Sequence, residues 1–260
     1  MSDSTQPVRR RRARGAAEIL QSPAAIGVAP GGFSLRVKQV GLLVYKDALT
    51  ELRTRDTVTT LLFFALLMVV IFVFSLSADE RVAQQVASGV LWIAIAFAGT
   101  LAIDRSFTRE QEGNTLTALV LIPGVTRALF VAKTLLNLFY LTLVELLVVP
   151  LTLTMLGVSV PDDAMLCLLG ALATGTIGFV IIGTVISAML VAIRRRGVLL
   201  PIVLYPIAIP LLVMGVEATS IVLENQPLEQ GWSWVKIMAA IDVVYLFGGA
   251  WLFGLVIEEE

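Results

Sequence analysis

Six long apolar runs dominate the chain, at 57–77, 82–103, 134–156, 164–193, 198–222 and 235–257. Each meets or exceeds the roughly 20 apolar residues that carry an α-helix across the hydrocarbon. The pattern predicts an all-α integral membrane protein with six transmembrane helices. Ahead of them, 34–56 is patterned differently: Leu42, Tyr45, Leu49 and Leu52 recur at spacings of three and four. Arg36, Lys38, Lys46, Asp47, Glu51 and Arg53 take other positions. An amphipathic helix in the membrane plane, feeding the first span, has this character. The alternative is a juxtamembrane extension of span one.

Between spans two and three the apolar pattern breaks over 104–133. Arg105, Arg109, Glu110 and Glu112 charge its first half, Gly113 and Asn114 interrupt it, and Leu116, Leu119 and Val120 return to helical spacing before Pro123-Gly124. This is too elaborate for a plain connector. It reads as a short amphipathic helix at the membrane face, serving a soluble partner or resting on the headgroups. Residues 1–33 are polar and basic, with Arg9, Arg10, Arg11, Arg12 and Arg14, and cannot bury a core. They read as a disordered cytosolic tail able to touch anionic lipid.

The 19 Lys and Arg residues set the orientation. With the N-terminus inside, ten precede span one, four (Arg105, Arg109, Arg127, Lys133) lie in the 104–133 segment and three (Arg194, Arg195, Arg196) follow span four, leaving Arg81 and Lys236 outside. The excess predicts both termini in the cytosol. A composition 57% apolar and 15% charged, with mean hydropathy +0.89, agrees with a multi-pass protein. Its one cysteine, Cys167, excludes an intrachain disulfide. It has no histidine, and so lacks the commonest metal ligand and general base.

Within the spans, Glu145 stands near the middle of the third, with Asn137 two turns earlier and Lys133 one turn before that, where it could snorkel to the headgroups. This is either a polar seam along a transport path or subunit contact, or an interhelical hydrogen bond holding the bundle. Asp242 of span six is placed to reach the outer interface. Span four is rich in small residues, which permit close approach within the subunit or across a dimer. Pro201, Pro206 and Pro210 predict a kinked or partly unwound span five, and broken helices can line a substrate path, but proline is also tolerated in ordinary membrane helices, the reading favoured residue by residue. No phosphate-binding loop, nucleophile–base pair or metal cluster is visible, so no catalytic or metal residues are assigned and the chain reads as one that binds, gates or conducts.

Three stretches carry a family resemblance. The first joins Gly89-Val-Leu-Trp92-Ile-Ala94 to Asp104-Arg-Ser-Phe-Thr-Arg-Glu-Gln-Glu-Gly-Asn-Thr-Leu116, Leu121-Ile-Pro123 and Lys133. The second is Arg196-Gly-Val-Leu-Leu200 with Pro206 and Ile209-Pro-Leu-Leu212; the third is Lys46-Asp47, Glu51-Leu52-Arg53 and Arg55. In register over 38–257, they resemble the CcmB family, the haem exporter permeases of the cytochrome c maturation ABC transporter. Gly113-Asn114-Thr115 departs from the family's usual step, and the basic tail looks like an addition.

The resemblance implies an ABC-2-type exporter permease architecture in the plasma (inner) membrane. ATP hydrolysis would lie on a separate ATPase subunit. The system's haem-handling membrane subunit and its small single-span subunit would be further partners. Two permease copies would pair with two ATPases in the lipid bilayer; nucleic acid has no part. Haem would be cargo of the complex, with no cofactor bound by this chain. The coupling element would be 105–121, including Arg105, Phe107, Arg109, Glu110, Glu112, Leu116 and Leu119. Arg194, Arg195 and Arg196 would give a second contact, with helix 35–53 framing the dock. Trp92, Asn137, Glu145, Pro206 and Pro210 would fall on the transport path or a subunit contact. Alternatives of other kinds are an ABC-2-type exporter of lipid, polysaccharide or drug, an intramembrane lipid-modifying enzyme using Glu145, and a scaffold.

Overall fold

The computed structural model describes residues 33–76, 80–112, 125–190 and 196–258. Most of the basic tail, residues 1–32, therefore lies outside the described residues. Seven α-helices and no strand occur among those described: α1 Phe33–Thr54, α2 Asp56–Leu76, α3 Glu80–Glu112, α4 Val125–Met155, α5 Met165–Met189, α6 Arg196–Leu223 and α7 Leu228–Glu258. Helices α2 to α7 each contain a stretch long and apolar enough to cross a membrane. In hydrocarbon this is the expected form, because a helix satisfies its backbone N–H and C=O groups within one segment.

Helix α1 stops where Arg55 takes a left-handed conformation (φ 54°), and α2 begins at the next residue. The new helix start is served from behind. The buried Glu51 carboxylate accepts from the Val58 N–H at 2.9 Å, satisfying one of the orphan donors of the first turn. Farther along, Gly157 (φ 66°) follows α4 and Asn225 (φ 55°) follows α6, both in the left-handed region that ends helices.

Two helices form the interior. Helix α5 packs on α3, α4, α6 and α7, and α3 packs on α2, α4, α5 and α6. Burial follows: 72% of the apolar stretch of α3 is inside the bundle, against 22% for α6. The small residues of α5 serve this packing within the chain. Gly175 takes the Trp92 indole of α3, Gly178 takes Leu211 of α6 and Asp242 of α7, and Gly183 takes Ile103 of α3.

Two expectations change on folding. The segment 104–133 is helical at both ends: α3 continues through Asp104 to Glu112, α4 starts at Val125, and 113–124 lie outside the described residues. Hydropathy marks where the bilayer ends, whereas Arg, Glu and Gln are good helix formers and carry the helix past it. At 1.5 Å per residue, the 33 residues of α3 reach about 50 Å, well beyond a hydrocarbon core of about 30 Å. The second change is α6, which is not unwound: it is one continuous helix containing Pro201, Pro206 and Pro210.

Candidate functional site

The end of the bundle that carries α1 also gathers the last turns of α3 and the first turns of α4 and α6. Four consecutive residues of α3 each meet a different neighbour there. The Asp104 carboxylate lies beside the start of α6, where a Cβ on Gly197 would sit 3.6 Å from Oδ2. A carboxylate at that end complements the helix macrodipole. Arg105 donates from Nη1 to Asp56 Oδ2 at 2.9 Å and to the Asp56 carbonyl at 3.3 Å, tying α3 to the start of α2. The Ser106 carbonyl accepts from Lys133 Nζ of α4 at 2.9 Å. Phe107 is fully buried in a cluster with Leu129 and Phe130 of α4 and Ile181, Val185 and Ala188 of α5, against which Leu43 and Tyr245 pack.

The Lys133 side chain is buried in this corner, 2% exposed. Its ammonium also donates to Asp47 Oδ2 of α1 at 2.8 Å and lies 5.9 Å from the centre of the Phe107 ring. It does not snorkel. The carboxylate, the carbonyl and the ring replace the water it would otherwise seek. The face that α1 turns inward is accordingly Leu43, Asp47 and Glu51, one turn apart. The periodic stripe of Leu42, Tyr45 and Leu49 points outward instead, with Leu42 68% exposed.

These positions re-sort the expected coupling residues. Phe107 is interior and Arg105 is paired with Asp56, so both join helices within the chain. Arg109, Glu110 and Glu112 stand on the last turn of α3, and Arg196 is the first residue of α6, with their side chains outside the described part. Leu116, Leu119, Arg194 and Arg195 lie outside the described residues.

The residues expected on a transport path or subunit contact do not form one site. Asn137 Nδ2 donates to Thr184 Oγ1 at 3.3 Å, and Thr176 donates its hydroxyl to Glu145. Eight residues along α4 match eight back along α5, so these are two rungs between antiparallel helices. Glu145 and Thr176 also line a lipid-side groove of about 650 Å³ between α4 and α5, walled by Leu138, Leu146, Leu168 and Leu172. Trp92 lies elsewhere, buried between α5 and α6 with Nε1 donating to Thr219 Oγ1 at 3.1 Å. Pro206 and Pro210 face outward from α6.

Sequence reasoning missed the Lys133–Asp47 pair and the depth of Asp242. The latter is buried against Gly178, 7% exposed, with Oδ1 unpartnered among the described residues; it does not reach the interface. The available signal for Lys133 was its place inside the apolar stretch Ala128–Met155 rather than at its edge. No group of three metal-ligating side chains assembles among the described residues.

Comparison with known proteins covers most of the chain. It is 27% identical over 209 residues to the Heme exporter protein B of Pseudomonas aeruginosa, spanning 80% of this chain and 90% of that one. The Heme exporter protein B of Rhodobacter capsulatus is 31% identical over 154 residues, 59% of this chain and 70% of the relative. That of Escherichia coli K12 is 29% identical over 168 residues, 65% and 76% of the two chains. The family model described as CcmB protein matches residues 38–255, taking in the whole corner from Asp47 to Gly197 and all six apolar helices. This multi-pass membrane chain belongs to the CcmB family.

Proposed function

We propose that this chain is the permease subunit of an ABC-type complex that exports or releases haem for c-type cytochrome maturation. A separate ATPase subunit supplies the energy. The name Heme exporter protein B borne by its relatives supports the cargo, and the six apolar helices preceded by α1 support an ABC-2-type permease architecture. The observation that carries the coupling reading is the Asp104–Phe107 corner. At the α1 end the roots of α3 and α4 touch each other and α1, α2, α5 and α6. A push on the segment between them therefore reaches most of the bundle.

In this reading the α1 end is cytosolic, both termini lie in the cytosol, and the membrane is the inner one. The ATPase docks on Arg109, Glu110, Glu112, Leu116 and Leu119, with Arg194, Arg195 and Arg196 as a second contact. Arg105 and Phe107 transmit the push inward instead of touching the ATPase. A haem-handling membrane subunit and a small single-span subunit complete the complex, and two permease copies pair with two ATPases. A subunit without histidine suits a machine that drives haem release from a neighbour, with no haem ligation of its own.

The deciding test is a covalent-haem stain of membranes from cells with and without this protein. Loss of haem from all c-type cytochromes, with b-type haem retained, is expected. Persistence of the c-type bands would remove the haem reading and leave an export permease of other cargo.

A further inference from the structure

The buried ion pair at the corner has a mechanical consequence. Lys133 belongs to α4, bonds the Ser106 carbonyl of α3 at 2.9 Å and bonds Asp47 of α1 at 2.8 Å. One side chain thus fastens three helices, and it does so from a buried position, 2% exposed. The same Asp47 carboxylate meets Lys46 at 3.2 Å, but Lys46 is 46% exposed and that contact joins adjacent residues of one helix. The outward face of α1 sets Leu42, Tyr45 and Leu49 beside the exposed Lys38, Lys46 and Thr50, a mixture suited to the headgroup–acyl boundary. Along its inward face, between Leu43 and Glu51, Asp47 supplies the charge held by Lys133, while Leu43 packs against the cluster of Phe107 and Leu129.

We propose that Lys133 is a positioning residue: it locks α1 to the roots of α3 and α4, so that the three move as one body. A displacement of those roots then carries α1 with it, in addition to shifting the spans. The pair suits this task because drawing Asp47 away would leave the buried Lys133 ammonium without its counter-charge and away from water, so the joint holds one geometry instead of sliding. The proposal rests on the reading of 109–124 as the ATPase contact, but its mechanical part can be measured without it.

The test uses full-length protein within its complex, two disrupting variants and one restoring variant. Asp47→Asn keeps an acceptor for Lys133, and Asp47→Leu with Lys133→Met removes both charges so that none is left stranded. Spin labels at Tyr45 and Val131, in a Cys167→Ser background, report the α1–α4 distance. The unmodified pair should give one narrow distribution and both variants a broadened or shifted one. Haem attached to c-type cytochromes per assembled complex should fall about fivefold or more while ATP hydrolysis persists, and Asp47→Glu should restore it. An unchanged distance in the double variant would overturn the joint. A changed distance with haem attachment at the unmodified level would overturn its role in coupling. Loss of haem attachment only in proportion to the amount of complex would also overturn that role. Failure of the haem reading itself would appear separately, as c-type cytochromes that keep their haem in cells lacking the protein.

Discussion

Trp92 shows how much of this fold rests on single side chains meeting single glycines. A Cβ on Gly215 would lie 2.6 Å from the indole, and one on Gly175 would overlap it. Gly175→Leu should therefore lower stability by about 1–3 kcal/mol through overpacking, measured as a lower melting midpoint in detergent. Combining it with Trp92→Ala should recover part of that loss, because the indole is what the added side chain meets. Glu145 invites the opposite expectation. Glutamine can still accept from the Thr176 hydroxyl, so Glu145→Gln should change stability by under about 1 kcal/mol, whereas Glu145→Leu removes the rung and should cost about 1–2 kcal/mol. If Glu145→Gln abolished function while the protein stayed folded, a role beyond joining α4 to α5 would be established.

Among the elements, α3 matters most, because it is both the most buried span and one that leaves the bilayer. Its Arg105 meets Asp56 with the guanidinium a third exposed and the carboxylate two-thirds exposed. Such a pair contributes under about 1 kcal/mol, so Arg105→Glu should destabilise only slightly. Exchange of the two charges, Arg105→Glu with Asp56→Arg, should return the melting midpoint toward its starting value. In a pull-down of the ATPase, Arg105→Glu should retain the partner and Arg109→Glu should lose it. Equal loss in both would place Arg105 on the docking surface as well. Helix α1 carries a related lesson: its carboxylates Asp47 and Glu51 face the protein while Leu42, Tyr45 and Leu49 face away, unlike a helix packed on a soluble core. The surrounding lipid makes that arrangement stable.

For the whole molecule, topology is the property to test. With the α1 end in the cytosol, the link after α4 and the one before α7 face the other side. In a Cys167→Ser background, cysteine at the exposed Ser159 or Asn225 should react with a membrane-impermeant maleimide in intact spheroplasts, and cysteine at the exposed Thr50 should react only after lysis. The reverse pattern would invert the orientation inferred from the basic residues. The positions of these links follow from helix geometry, since six spans with short returns must alternate sides.

Much of the fold was legible because membrane hydropathy is a local property. Twenty apolar residues in a row have one stable form in a bilayer, so the six helices, their order and the amphipathic lead-in can be read from composition and spacing alone. The motif Asp104-Arg-Ser-Phe was legible as a special stretch for the same reason, being charge where apolar residues were expected. What the residues do there depends on their neighbours in space. Arg105, Phe107 and Lys133 look like surface features in the chain, and each acquires its meaning from a residue far away in sequence: Asp56, Leu129 and Asp47. Whether a cation snorkels or is buried, and whether an aspartate such as Asp242 reaches water or a glycine notch, is decided by which helix packs against it. The length of an apolar run specifies that a helix crosses the membrane, and tertiary packing alone decides which of its faces meets lipid, a neighbouring helix or a buried charge.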